Sequence, residues 1–140
     1  MTEPRTVVQA DGRAKAYRPL PPDQRDAAVR EGLEAYERGD YFLAHELMEP
    51  AWMGTADPGE RALLQGLIKL AAAEVHGVRG NPRGVRRNRE GSLERLRLAA
   101  AAGTASPDGL DLPVLIAALE RRLAAEDADP RPVVLPWRRR

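Results

Sequence analysis

The chain has 140 residues, 22 Lys or Arg against 21 Asp or Glu, a net charge of +1 and no cysteine. The missing cysteine excludes disulfides, thiolate zinc sites and thiol catalysis, and the balanced charge gives no polyelectrolyte signature. No apolar run approaches the roughly 18 residues that cross a bilayer. The opening "MTEPRTVVQADGRAKAY" lacks the apolar core of a secretory signal, so a cytoplasmic location is expected. The basic residues are 20 Arg against 2 Lys, which reads as a coding bias before it reads as phosphate recognition.

Residues 1–21 read as an irregular segment with one extended candidate at Thr6–Gln9. "RPLPPD" then breaks the chain, and Asp23 is a candidate N-cap for a first helix over about Gln24–Arg38. Gly39 supplies C-cap chemistry. Asp40 caps a second helix, "YFLAHELMEPAW", ending near Trp52 or Met53. A loop, "GTADPGE", leads to a third helix over about Gly59–Val78, with Leu64, Leu67, Ile68, Ala71, Val75 and Val78 on its apolar face. Pro82 opens a fourth helix that runs to about Ala101. Asp111 caps a fifth, to about Glu126, with Leu112, Ile116, Leu119 and Leu123 aligned. The expected fold is all-α: a compact bundle of about five helices, built from two helical hairpins plus a C-terminal helix. One domain is expected over 22–127, followed by a Pro/Arg-rich tail, 128–140, extended along the surface. "RGDYFLA" and "RGNPRGV" lie 41 residues apart and echo one another as turns between paired helices.

The second helix carries the chemistry. At about 100° per residue, Phe42, His45, Glu49 and Trp52 fall within an arc of about 80°, with Glu46 at its edge. Leu43, Ala44, Leu47, Met48 and Ala51 cover the remaining circumference, so an otherwise apolar helix holds its polar groups on one line. A buried carboxylate needs a partner or a polar cavity. Pro50 has no N–H to donate to the Glu46 carbonyl. The third helix offers a stripe of Gln65, Lys69, Ala72 and His76, and antiparallel packing of the two helices would bring His76 toward His45.

These residues resemble a family of small prokaryotic proteins, domain of unknown function 309. Its pattern is Phe-x-x-His-Glu-x-x-Glu-x-x-Trp, then Gln-Gly-(Leu/Ile)-Ile-x-x-Ala, then His, then Gly-Asn-x-x-Gly. The chain matches at Phe42, His45, Glu46, Glu49, Trp52, Gln65, Gly66, Ile68, Ala71, His76, Gly80, Asn81 and Gly84, within about residues 30–100. The resemblance implies an all-helical fold and does not supply an activity.

The candidate pocket is therefore His45, Glu46, Glu49, Trp52, Gln65 and His76, between the second and third helices. It reads as a closed hydrogen-bond brace, a ligand pocket, or a metal or acid–base site. His-Glu-x-x-Glu is not the zincin His-Glu-x-x-His, so no metal, cofactor or catalytic residue is assigned. Trp52 reads as a core anchor. Tyr36 and Tyr41 read as packing residues with solvated hydroxyls. Gly39, Gly80 and Asn81 read as turn residues. Arg79, Arg83, Arg86 and Arg87 form a basic cluster that could contact phosphates, joined by Arg138–Arg140; a solvated helix face is the simpler reading. The functional expectation is a small binding or scaffold module for an unknown small molecule or protein. The alternatives are a small metal-assisted or acid–base hydrolase, then a nucleic-acid accessory protein. No membrane partner is expected, and the oligomeric state is open.

Overall fold

Prolines and Asp or Asn caps set where the helices begin. The computed structural model describes residues 5–8, 14–17, 19–125 and 131–138. Five helices follow one another: α1 (Pro22–Glu37), α2 (Tyr41–Met53), α3 (Pro58–Val78), α4 (Pro82–Ala101) and α5 (Leu112–Ala124). Asp40, Asp57, Asn81 and Asp111 each accept a backbone N–H from the first turn of α2, α3, α4 and α5. The first helix departs from expectation. Pro21 occupies the cap position with Pro22 at the first helical residue, and Asp23 lies inside the first turn. α5 ends at Ala124, short of Glu126, which lies outside the described residues.

The N-terminal segment is more ordered than its composition suggests. Arg5–Val8 (β1) pairs antiparallel with Ala14–Tyr17 (β2), Thr6 facing Ala16 and Val7 facing Lys15. The extended candidate at Thr6–Gln9 thus falls largely on β1, with Gln9 outside the described residues. The fold is nonetheless all-α in its bulk.

The sequence echo corresponds to one turn used twice. Gly39 (φ 83°) and Gly80 (φ 70°) take the left-handed conformation that favours glycine. Asp40 N–H donates to Ala35 O and Asn81 N–H to His76 O, both at 2.9 Å. The same two residues then cap the next helix, so each turn closes one helix and opens another.

α1 packs on α2, α2 on α3, α3 most extensively on α4, and α4 on α5. Two glycines permit the close crossings. A Cβ on Gly32 would lie 2.5 Å from Met48 Cγ, and one on Gly66 would lie 2.7 Å from Leu96 Cδ2. At the second crossing the Ser92 hydroxyl donates to Gly66 O at 2.7 Å. Leu33, Met48, Leu67, Leu70, Leu96, Leu115 and Leu119 fill the centre. Val78, expected on the apolar face of α3, is 76% exposed in the helix's last turn.

The tail is extended, but it is not a surface segment. Val133, Leu135 and Trp137 are buried in the core, and the alternate positions face outward. Trp137 pairs antiparallel with Leu110, and its indole N–H donates to Asp108 O at 2.9 Å. Residues 131–138 thus form a strap across the helices.

Candidate functional site

α2 buries Ala44, Met48, Ala51 and Met53 against the core. This leaves the polar line half-buried at its edge, with Phe42 exposed at its head. The side chains of His45, Glu46 and Glu49 retain 25%, 27% and 18% of their exposure, so the seam reaches solvent. His45 Nε2 lies 3.2 Å from Glu49 Oε1, one helical turn on, and His45 Nδ1 lies 3.7 Å from Glu46 Oε1. The second separation is too long for a hydrogen bond, and Nδ1 is buried with no partner among the described residues. Donor atoms from the three residues all lie within 4.8 Å of one another. Chemically, this is a concentrated set of acceptors suited to a cation or to hydrogen-bond donors.

Trp52 closes the C-terminal end of the seam. It packs against the core, and the Arg61 guanidinium sits 4.7 Å from its ring centroid. Arg61 also donates to the Trp52 and Thr55 carbonyls, which ties α3 to the end of α2. The Trp52 indole nitrogen is buried without a partner among the described residues.

The two histidines do not share one cluster. His76 belongs to the turn between α3 and α4: its Nδ1 lies 3.1 Å from Asn81 Nδ2. Asn81 Oδ1 accepts Gly84 N–H, so the amide nitrogen is the group facing the ring, and it donates to Nδ1. A Cβ on Gly84 would approach the His76 ring to 2.5 Å, which explains glycine there. Gln65 is half-buried on α3. A cleft of about 600 Å³ lies instead between α1, α3 and the 105–108 loop, with Arg25, Val29, Leu33, Leu64 and Trp137 among its walls. Neither it nor the cleft between α4 and α5 is lined by the seam residues. The seam is a half-buried strip at the surface.

A second polar centre escaped the sequence reading. Glu74 of α3 and Arg89 of α4 form an ion pair at 3.1 Å with side chains 1% and 2% exposed. The tail completes it. Val133 N–H donates to Glu74 Oε2 at 2.9 Å, and Arg89 Nη2 donates to Arg131 O at 2.8 Å. The Tyr36 hydroxyl donates to Val133 O at 2.5 Å, so it is not solvated as expected. Tyr41 meets Tyr36 edge-on, with ring centroids 4.9 Å apart. Burial pushes the Tyr36 hydroxyl well above its ordinary range, with the nearby Glu74 carboxylate adding to the effect. Tyr41 is raised for the same two reasons. Burial also raises Glu74, opposed by Arg89 and by the Val133 N–H. The available signal was a lone Glu on the apolar face of the third helix, and its partner was hidden within an arginine-rich run.

The rest of that run is solvated. Arg79, Arg83, Arg86 and Arg87 are exposed, and Arg86 pairs with Glu90 at 3.1 Å. Arg138 is exposed, and Arg139 and Arg140 lie outside the described residues.

A helical core with a His-Glu-x-x-Glu-x-x-Trp seam defines a class of small all-helical protein rather than an activity. The profile of the family described as "Domain of unknown function (DUF309)" matches residues 29–88, from the middle of α1 into α4, so the chain is similar to that family over this segment. No curated protein and no solved structure matches the chain. Among the described residues, no helix is long and apolar enough to cross a membrane.

Proposed function

We propose that this protein is a small binding module whose recognition surface is the α2 seam of His45, Glu46 and Glu49, closed at one end by Trp52. The observation that carries this is the unpartnered Nδ1 of His45, whose ring is set between two carboxylates on a strip that water reaches. A brace evolved only for stability would be expected to satisfy its buried polar atoms, because each orphan costs about 1–3 kcal/mol. The seam is acceptor-rich, so its ligand presents positive charge or hydrogen-bond donors.

The test has two parts on the full chain. Glu49→Gln and His45→Ala are expected to cost less than about 1 kcal/mol, as for partly solvated pairs. The His45 ring and Trp52 indole resonances are expected to shift on titration with a cellular metabolite extract, and His45→Ala is expected to abolish the Trp52 shift. A loss above about 3 kcal/mol in both variants, with no resonance moving, would identify a structural brace and refute the proposal.

A further inference from the structure

We infer that the α2 seam holds a divalent transition-metal ion, bound by one ring nitrogen of His45 and one carboxylate oxygen each from Glu46 and Glu49. This deepens the binding function proposed above and rests on it. Three observations carry the assignment. The donor types are one imidazole and two carboxylates, a set that suits Zn²⁺, Mn²⁺ or Fe²⁺ and, having no sulfur, does not favour Cu(I). The two carboxylates also balance the ion's double charge.

The second observation is spacing. Bonds of about 2.1 Å place adjacent donors about 3.0 Å apart in an octahedral shell and about 3.4 Å apart in a tetrahedral one. His45 Nε2 lies 3.2 Å from Glu49 Oε1, close to such an edge, while Glu46 Oε1 lies 3.7 Å from the other ring nitrogen, Nδ1, so a shell built on one nitrogen takes one of these contacts as an edge. One donor atom from each residue falls within 4.8 Å of the others, and binding requires a carboxylate to rotate toward the chosen nitrogen. The i,i+4 step sets His45 and Glu49 on neighbouring turns, and the adjacent Glu46 flanks the ring's other nitrogen.

The third observation is the buried Nδ1 with no hydrogen-bond partner among the described residues. Coordination gives a ring nitrogen in this pocket a partner. Three protein ligands leave positions for water or for a ligand group, the arrangement of an open rather than a closed metal site. His76 takes no part: its Nδ1 accepts from Asn81, and it is not among the residues whose donor atoms lie within 4.8 Å of one another.

The experiment is a calorimetric titration of the untagged full chain with Zn²⁺ and, separately, with Mn²⁺, followed in parallel by the nitrogen resonances of both histidines. One ion per chain is expected, with the His45 resonances shifting and those of His76 unchanged. Glu49→Gln and His45→Ala are expected to weaken binding by about tenfold or more, while His76→Ala binds as wild type does. The assignment is overturned if no ion binds stoichiometrically, if His45→Ala binds as tightly as wild type, or if His76→Ala is the variant that loses the ion. Denaturation midpoints of the same variants separate the two proposals. A wild-type chain that binds no ion, with seam variants that keep wild-type midpoints, overturns the metal alone. A large common drop in midpoint removes the binding surface as well.

Discussion

Arg89→Met is the sharpest probe of how this chain holds together. The substitution keeps an unbranched apolar stem and removes the guanidinium from a site only 2% exposed. Glu74 Oε1 loses both its bonds to Arg89, at 3.2 and 3.1 Å, and Arg131 O loses a donor at 2.8 Å. The Val133 N–H still donates to the carboxylate, and the Arg122 charge still favours it. Removing one partner of a buried ion pair costs about 3–5 kcal/mol, a large share of the roughly 5–15 kcal/mol that a domain has. With a urea slope of about 2 kcal/mol/M, the midpoint falls by about 2 M. Exchanging both members, Glu74→Gln with Arg89→Met, removes the stranded charge and lets the Gln oxygen still accept from Val133. The double variant is therefore expected to lose less than Arg89→Met alone, about 1–3 kcal/mol. Urea denaturation at pH 7 of wild type, both single variants and the double provides the full cycle. A loss under 1 kcal/mol for Arg89→Met, or a double variant equal to the sum of the singles, would refute the account.

Other outcomes follow from the same geometry. The raised pKa of Glu74 means the folded state holds its proton more tightly than the unfolded chain does. Its contribution is fully present below the ordinary carboxylate value of 4.5 and is lost as pH rises through the folded-state value. The stability of wild type relative to Glu74→Gln should therefore fall across that window, measured by denaturation at a series of pH values; a rise would contradict the dominance of burial. Trp137→Ala should cost about 3–5 kcal/mol, because it empties a core site and frees the strap from Leu110; amide exchange should then rise at Arg138, whose N–H bonds to Gly109 O at 3.0 Å. Gly66→Ala should cost about 1–3 kcal/mol, since the new methyl meets Leu96 at 2.7 Å; thermal unfolding indistinguishable from wild type would show that the α3–α4 crossing can relax.

Much of this molecule is legible locally. Asp40, Asn81 and Asp111 each sit immediately before a helix, and one side-chain oxygen of each finds an N–H three residues on. Gly39 and Gly80 end helices because their backbone conformation favours glycine. The seam is likewise visible, since His45, Glu46 and Glu49 lie within one turn and their mutual distances follow from helical geometry alone. The family resemblance rests on the same local patterns, and the matched segment, 29–88, includes all three.

What the sequence could not reveal depends on contacts between distant parts of the chain. Glu74 and Arg89 are 15 residues apart and Glu74 and Val133 are 59 apart, so no periodicity pairs them. Arg89 sits in a run of arginines that are otherwise solvated, and only the packing of α4 on α3 decides which one turns inward. The tail has the prolines of a surface segment, yet Val133, Leu135 and Trp137 alternate into the core because the helices leave a polar trough that can bond its backbone. The fate of His76 has the same cause. Helical spacing places it on a stripe that could face His45, but the turn at Gly80 brings Asn81 to its ring first. By itself, then, the sequence determined the helices, the caps of α2 and α5 and the α2 seam, which depend on neighbours within about four residues. Tertiary structure alone decided which charges are buried, where the strap lies and which histidine belongs to the seam, because those depend on which helix faces meet.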